Sequence, residues 1–170
     1  MKNLDDYDNA FSRYSKTLDN RPMPLHSWDF FTSHFNELKM VISDASHLNS
    51  LAQKNNWTAK WDFAQKLEEH VVVVTDTNLS IVFASQNSIN MTGYAAEEII
   101  GQTPKMFQGE KTSKKTLLEI RDAINEGRPF EKTVVNYKKN GETYDCHIQA
   151  FPVFDKNKKL TNFIAFEKAA

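Results

Sequence analysis

Four valines in a row, at positions 71–74, limit what this chain can become. A β-branched run of that length favours a buried strand over a helix. Thr75, Asp76, Thr77 and Asn78 then supply turn chemistry, since Asp and Asn side chains hydrogen-bond the nearby backbone and tolerate unusual dihedrals. Ile81, Val82 and Phe83 make a second short strand, and the pair reads as a hairpin. From Ser85 onward the period changes. Ile89 and Met91 fall in a short helical stretch ended by Gly93, and residues 95–100 make another turn closed by Gly101. Strand, turn, strand and several short helices leave a pocket between sheet and helices.

Further on, Thr112 or Ser113 caps a helix with Leu117, Ile120, Ala123 and Ile124 on one face, ended by Gly127 and Pro129. Three strands complete the sheet, over 130–138, 142–154 and 160–167. Asn140 and Gly141 join the first two in a tight turn that needs positive dihedrals. Residues 155–158 turn the next pair.

Upstream, the pattern is helical. Tyr7, Phe11, Tyr14 and Leu18 form an aromatic stripe over 4–18, and Pro22 and Pro24 break it. Ser27 is a good N-cap for a long helix bearing Trp28, Phe31, Phe35, Leu38, Val41 and Ile42 and reaching Leu48 and Leu51. Thr58 caps a shorter helix with Trp61, Phe63, Ala64 and Leu67. Faces this apolar must be buried on something. Aromatic anchors are enriched at interfaces as well as in cores, so Tyr7, Phe11, Tyr14, Trp28, Phe31, Phe35 and Leu38 are expected to form a dimer interface. No sustained heptad predicts a long coiled coil.

Composition enters as exclusions. Over 170 residues the net charge is −1 and the basic residues are dispersed, which gives no footprint for nucleic acid. The N-terminus carries early acids and is not a signal peptide, and no apolar run approaches the ~20 residues of a membrane span. The single cysteine, Cys146, rules out an internal disulfide framework and fits a reducing, cytoplasmic compartment. Scattered histidines give no metal-ligand spacing. No Ser-His-Asp set or glycine-rich phosphate loop supports enzymatic activity.

Taken together, Thr75 and Asp76, the run 81–84, Met91 to Tyr94 and the run 97–101 resemble a PAS sensor domain. The continuation is similar to the LOV branch, the flavin-binding blue-light sensors. Residues 101–109 (GQTPKMFQG) align with the LOV pattern Gly-x-Asn-Cys-Arg-Phe-Leu-Gln-Gly. Residues 136–141 (NYKKNG) resemble the LOV strand Asn-Tyr-Arg-Lys-Asp-Gly, and 151–155 (FPVFD) its Ser-Pro-Val-x-Asp. The resemblance covers about residues 70–168 and is specific as a set. It implies an α+β PAS fold, a five-stranded antiparallel sheet with short helices on one face. An N-terminal helical extension over 1–68 then precedes a PAS domain over 69–170.

The resemblance also implies a pocket lined by Val73, Phe83, Ile89, Met106, Phe107, Gln108, Ile120, Asn136, Cys146, Ile164 and Glu167. At the position of the LOV cysteine stands Pro104, which has no nucleophile, so adduct photochemistry is excluded. Thr103 replaces an asparagine, Lys105 an arginine that grips phosphate, Cys146 the second asparagine and Glu167 the strand glutamine, while Gln108 and Asn136 match. An ionised Glu167 only accepts hydrogen bonds, and leaving a flavin edge unpaired there would cost about 1–3 kcal/mol per group. Strand alternation puts Tyr144, Cys146 and Ile148 on the inward face, with Asp145, His147 and Gln149 outward. Cys146 then reads as a small core residue. Haem finds no axial histidine on the helix over 113–125.

The expectation is a stand-alone PAS signalling protein with no attached effector and no cofactor. It would act by population shift on binding a small molecule or an unidentified signalling protein, and would form a homodimer. The alternatives are a flavin-binding (FMN or FAD) photoreceptor or redox sensor without the cysteine, and a cofactor-free dimerisation module. No nucleic acid, membrane or metal is expected.

Overall fold

The computed structural model describes residues 26–170, apart from the side chains of 26–31 and 33. The chain divides into two compact units, Met1–Asn36 and Glu37–Ala170. Of the first, the backbone from residue 26 is helical and Phe35 is exposed. Tyr7, Phe11 and Tyr14 lie outside the described residues, as do the side chains of Trp28 and Phe31.

In chain order the elements are helix α1 (His26–Lys54), helix α2 (Phe63–Glu69), strands β1 (Val71–Asp76) and β2 (Ile81–Ala84), and the short helices α3 (Ser88–Thr92) and α4 (Ala96–Ile99). A 3-10 turn (Pro104–Phe107), helix α5 (Lys114–Asn125) and strands β3 (Phe130–Tyr137), β4 (Thr143–Phe154) and β5 (Leu160–Ala169) complete the fold. The five strands form one antiparallel sheet in the order β2-β1-β5-β4-β3. The expected α+β architecture and five-stranded sheet are observed.

Local chemistry explains the turns. Asp76 Oδ1 accepts from the N–H groups of Asn78 and Ser80, and Leu79 takes the left-handed conformation (φ 65°) to close the hairpin. Asp155 accepts in the same way from Asn157 and Lys159. Gly93 (φ 76°) ends α3, and Ser113 rather than Thr112 caps α5 by accepting from Thr116 N–H. Two expected caps are corrected. Helix α1 already includes Ser27, and α2 starts at Phe63 with Asp62 as its cap. Thr58 is not a cap: its hydroxyl donates to the Phe154 carbonyl, because residues 57–58 run alongside the end of β4.

The valine run is buried throughout because both faces of β1 are covered. Val72 and Val74 face outward, into a cluster with Leu48, Trp57, Phe63, Leu67, Phe83, Val153, Ile164 and Phe166. Helix α1 lays Val41, Ala45, Leu48 and Ala52 on this cluster, a four-then-three-then-four spacing that puts one stripe on the sheet. Leu38, one turn before that stripe, and Ile42, to one side of it, stay exposed. Val71 and Val73 point the other way, into a cluster with Ile81, Ala84, Ala96, Ile99 and Phe107 under the short helices. No helix among the described residues is long and apolar enough to cross a membrane.

Candidate functional site

Most of the expected site residues gather on the concave face of the sheet, under α3, α4, the 3-10 turn and α5. Near β1 and β2 it is apolar. Phe107 is buried there with Tyr94 edge-on to it at 6.0 Å, and Met91 and Met106 pack half-buried alongside. Val73, on β1, belongs to the same wall.

Toward β3 and β4 the floor becomes polar. Strand pairing fixes which side chains share it, since partners in an antiparallel pair point to the same face. Val71 opposes Glu167, which opposes Ile148, which opposes Lys132. Asn136 likewise opposes Tyr144, and Val134 opposes Cys146. Asn136, Cys146 and Glu167 are all buried. The Cys146 thiol donates toward Glu167 Oε2 at 3.6 Å. The Tyr144 hydroxyl, beside Asn136 and Cys146, is buried without a hydrogen-bond partner, as is the Thr75 hydroxyl further along β1. Buried polar atoms left open cost about 1–3 kcal/mol each, which makes them candidates for a ligand's groups.

Burial sets the protonation of this floor. It raises the Glu167 carboxyl to about 7, with the Cys146 thiol a smaller opposing influence. It also pushes the Cys146 thiol and the Tyr144 phenol upward, with Glu167 a further cause for both and Cys146 a further cause for Tyr144. Cys146 is therefore a protonated core thiol with no exposure, not a nucleophile. Burial shifts Glu167 away from the expected ionised, accept-only form and toward the protonated one. A neutral carboxyl has one O–H donor and one carbonyl acceptor, the same pair of roles that an amide offers.

Helix α5 roofs this part with Leu117, Ile120 and Ile124 half-buried and Ala123 fully buried. Lys132 Nζ reaches Glu119 Oε2 at 2.6 Å and ties β3 to that helix. The loop before α5 is anchored by Thr112, whose hydroxyl donates to the Val135 carbonyl at 2.7 Å and accepts from Gly109 N–H at 2.9 Å. A glycine is required at 109, since a Cβ there would lie 2.5 Å from the Tyr137 ring.

Three expected pocket residues are elsewhere. Phe83 and Ile164 both oppose Val74 and so lie on the outward face, where Phe83 meets the His47 ring edge-on at 5.3 Å. Ile89 is 51% exposed on α3, because that short helix presents Ser88 and Thr92 inward instead. Gln108 is half-buried just past the 3-10 turn, Lys105 is exposed, and Pro104 opens that turn. Tyr144 and Thr75 were not among the expected lining residues. The alternation that placed Cys146 inward also places Tyr144 there, so that signal was available.

The donor set fits a flat heteroaromatic edge. Asn136 offers donor and acceptor, Glu167 offers both in its protonated form, and Tyr144 has a free hydroxyl. Among the described residues no group of three or more His, Cys, Asp or Glu is placed to hold a metal ion.

A sensory class is thus defined by a five-stranded sheet with a polar, helix-covered concavity. The family model described as PAS domain matches residues 68–168, and the chain belongs to that family. Protein TWIN LOV 1 of Arabidopsis thaliana is 42% identical over 109 residues, 61% of this chain and 27% of that protein. The chain therefore spans about a quarter of that relative's length. Two solved structures share the fold. One, titled for a flavin analogue and the light-oxygen-voltage domain mechanism, has a TM-score of 0.60 at 23% identity, covering 65% of this chain and 86% of that one. The other, the light-state dimer of the fungal blue-light photoreceptor Vivid, has a TM-score of 0.55 at 24% identity, covering 58% and 76%.

Proposed function

We propose that this PAS sensory domain is a LOV-like flavin sensor, holding FMN or FAD on its concave face and signalling without a cysteinyl adduct. The observation that carries the reading is the buried floor of Asn136, Tyr144 and Glu167, in which burial favours the protonated form of Glu167, the form that can do the work of the amide found in LOV domains. The 42% identity to TWIN LOV 1 supports the same branch. A bound flavin would supply blue-light absorption and a reducible ring. The protein's part is to bind and orient it. Asn136 and Glu167 pair with its polar edge, Tyr144 donates from the side, and Phe107, Met91 and Met106 exclude water from its apolar body.

Pro104 carries no thiol, and Cys146 is buried and protonated, so no cysteine of this chain serves as nucleophile. The output we infer is a shift in how the chain associates, as a homodimer or with a signalling partner, through the exposed Leu38 and Ile42 on α1. The reading assigns no catalysis to the domain and places it in the cytoplasm, where a single free thiol stays reduced.

Absorbance of the purified protein tests it. Retained flavin gives a band at roughly 450 nm. Colourless protein that gains no thermal stability from added FMN would favour a cofactor-free dimerisation module instead.

A further inference from the structure

Glu167 is a buried carboxyl in an unusual setting. It lies on the concave face of β5 between Val71 and Ile148, and among the described residues it forms no ion pair. The groups that face it can be named element by element. From β4 come the Cys146 thiol, 3.6 Å from Oε2, and the Tyr144 phenol. From β3 comes Lys132, two strands away in the same row and already engaged by Glu119 of α5. From β1 come only Val71 and Val73, with no charge. His70, just before β1, turns its ring to Phe166 on the outward face. No cation among these groups compensates a negative charge on Glu167, the Cys146 thiol offsets it only in part, and burial raises its carboxyl to about 7.

One ligand chemistry satisfies both the acid and the open phenol. A carboxylic acid forms a closed pair of hydrogen bonds with a lactam or imide, giving its O–H to the ligand carbonyl and accepting the ligand N–H on its own carbonyl. Tyr144 has one further proton to give, to an adjacent acceptor. An anionic ligand edge would meet no cation here, and a purely apolar one would leave these groups unpaired.

We propose that Glu167 and Tyr144 are the specificity-determining residues of the pocket, selecting a flat ring with a neutral N–H beside a carbonyl through the protonated form of Glu167. This rests on the flavin reading and adds to it that binding is lost as Glu167 gives up its proton.

The test is titration of flavin-stripped full-length protein with FMN at pH 6 and pH 8.5, for the wild type and for Glu167→Gln and Tyr144→Phe. The amide of Glu167→Gln keeps donor and acceptor at both pH values, and the titrating phosphate of FMN cancels in the ratio of the two proteins. The wild type should lose at least tenfold in affinity relative to Glu167→Gln on going to pH 8.5, since one pH unit above a group's pKa leaves about a tenth of it protonated. Tyr144→Phe should weaken FMN about threefold to tenfold at both pH values, the worth of one neutral hydrogen bond. A wild-type to Gln ratio that does not change with pH overturns this inference while leaving the flavin reading intact. Failure of FMN to bind the wild type at either pH overturns both. Riboflavin, which carries no phosphate, gives a wild-type pH series that stands alone, so a poorly folded variant does not rescue the proposal from a flat result there.

Discussion

On the outward face of the sheet, Phe83, Ile164 and Phe166 are covered by Leu48 of α1 and by the Trp57, Trp61 and Phe63 rings, with Trp61 centred 6.1 Å from Phe166. Most of the polar atoms there are paired: Trp57 Nε1 donates to Asn162 Oδ1 at 3.0 Å, and Asn162 Nδ2 donates to the Thr75 carbonyl at 3.0 Å, while His70 Nδ1, beside Phe166, is buried without a partner. The concave face has smaller side chains, half-buried methionines, and the Tyr144 and Thr75 hydroxyls left open. The outward face is filled by the chain's own large aromatic side chains, whereas the concave face packs smaller ones and leaves two hydroxyls open. The outward face should then carry most of the stability, and the concave face should trade stability for chemistry.

Removing a side chain from each face is the strongest way to break that contrast. Leu48 is fully buried between α1 and the sheet, so Leu48→Ala should cost about 2–5 kcal/mol, the range for deleting buried aliphatic groups. Met106→Ala, at a half-buried position on the concave side, should cost less than half as much, because the flexible neighbours can close over the gap. Urea unfolding followed by tryptophan fluorescence measures both, and equal losses would mean that the two faces are equally well filled.

The pH dependence of stability comes next in size. Glu167 holds its proton in the folded state up to about 7, well above the ordinary carboxylate value of 4.5 that it regains on unfolding. Its contribution is fully present below pH 4.5 and is lost as the pH rises through 7. The folded state should therefore be weaker at pH 8 than at pH 4.5 by about 3 kcal/mol from this group alone. Glu167→Gln should remove that decline. His70, its pKa lowered by burial, gains stability over the same window, so the deciding quantity is the difference between the proteins: a wild type that declines no more than Glu167→Gln would place the carboxyl in water and end the account of the concave floor.

The contrast between the faces also explains what the sequence could tell. The strands, the hairpin turns and the Ser113 cap were legible because each depends on local chemistry that a few residues carry. Which face a strand residue takes is legible by alternation only if the helices covering each face are known. The run at 71–74 is uniformly apolar and does not reveal them, and so Phe83 and Ile164 were assigned to the wrong side. The covering stripe of α1, Val41, Ala45, Leu48 and Ala52, is also less conspicuous than the aromatic one beside it, since alanines contribute little signal. Glu167 was legible only in part, for a different reason. Its residue type suggests a charge, but its protonation depends on burial, and burial is a property of the assembled sheet.

The smallest expected effect tests how α1 is held on the outward face. Asp44 is buried on α1, and its carboxylate accepts from Gln86 N–H at 2.8 Å and from Gln86 Nε2 at 3.1 Å, just after β2. The same corner is tied from below by Asn87, whose side-chain amide donates to the carbonyls of Leu67 and His70. Packing at Leu48 sets how tightly the helix docks, whereas Asp44 sets its register, since the carboxylate reaches the Gln86 amide at only one position along the sheet. Asp44→Ala should cost about 1.5 kcal/mol, the scale of a hydrogen bond to a charged group, and Gln86 can recover part of that from water. Amide hydrogen exchange offers a sharper measurement than the melting point. Exchange should quicken at Gln86 and along the 41–52 face of α1 and stay unchanged at Asn136 and Glu167, and faster exchange on the concave strands as well would mean that the two faces unfold as one unit.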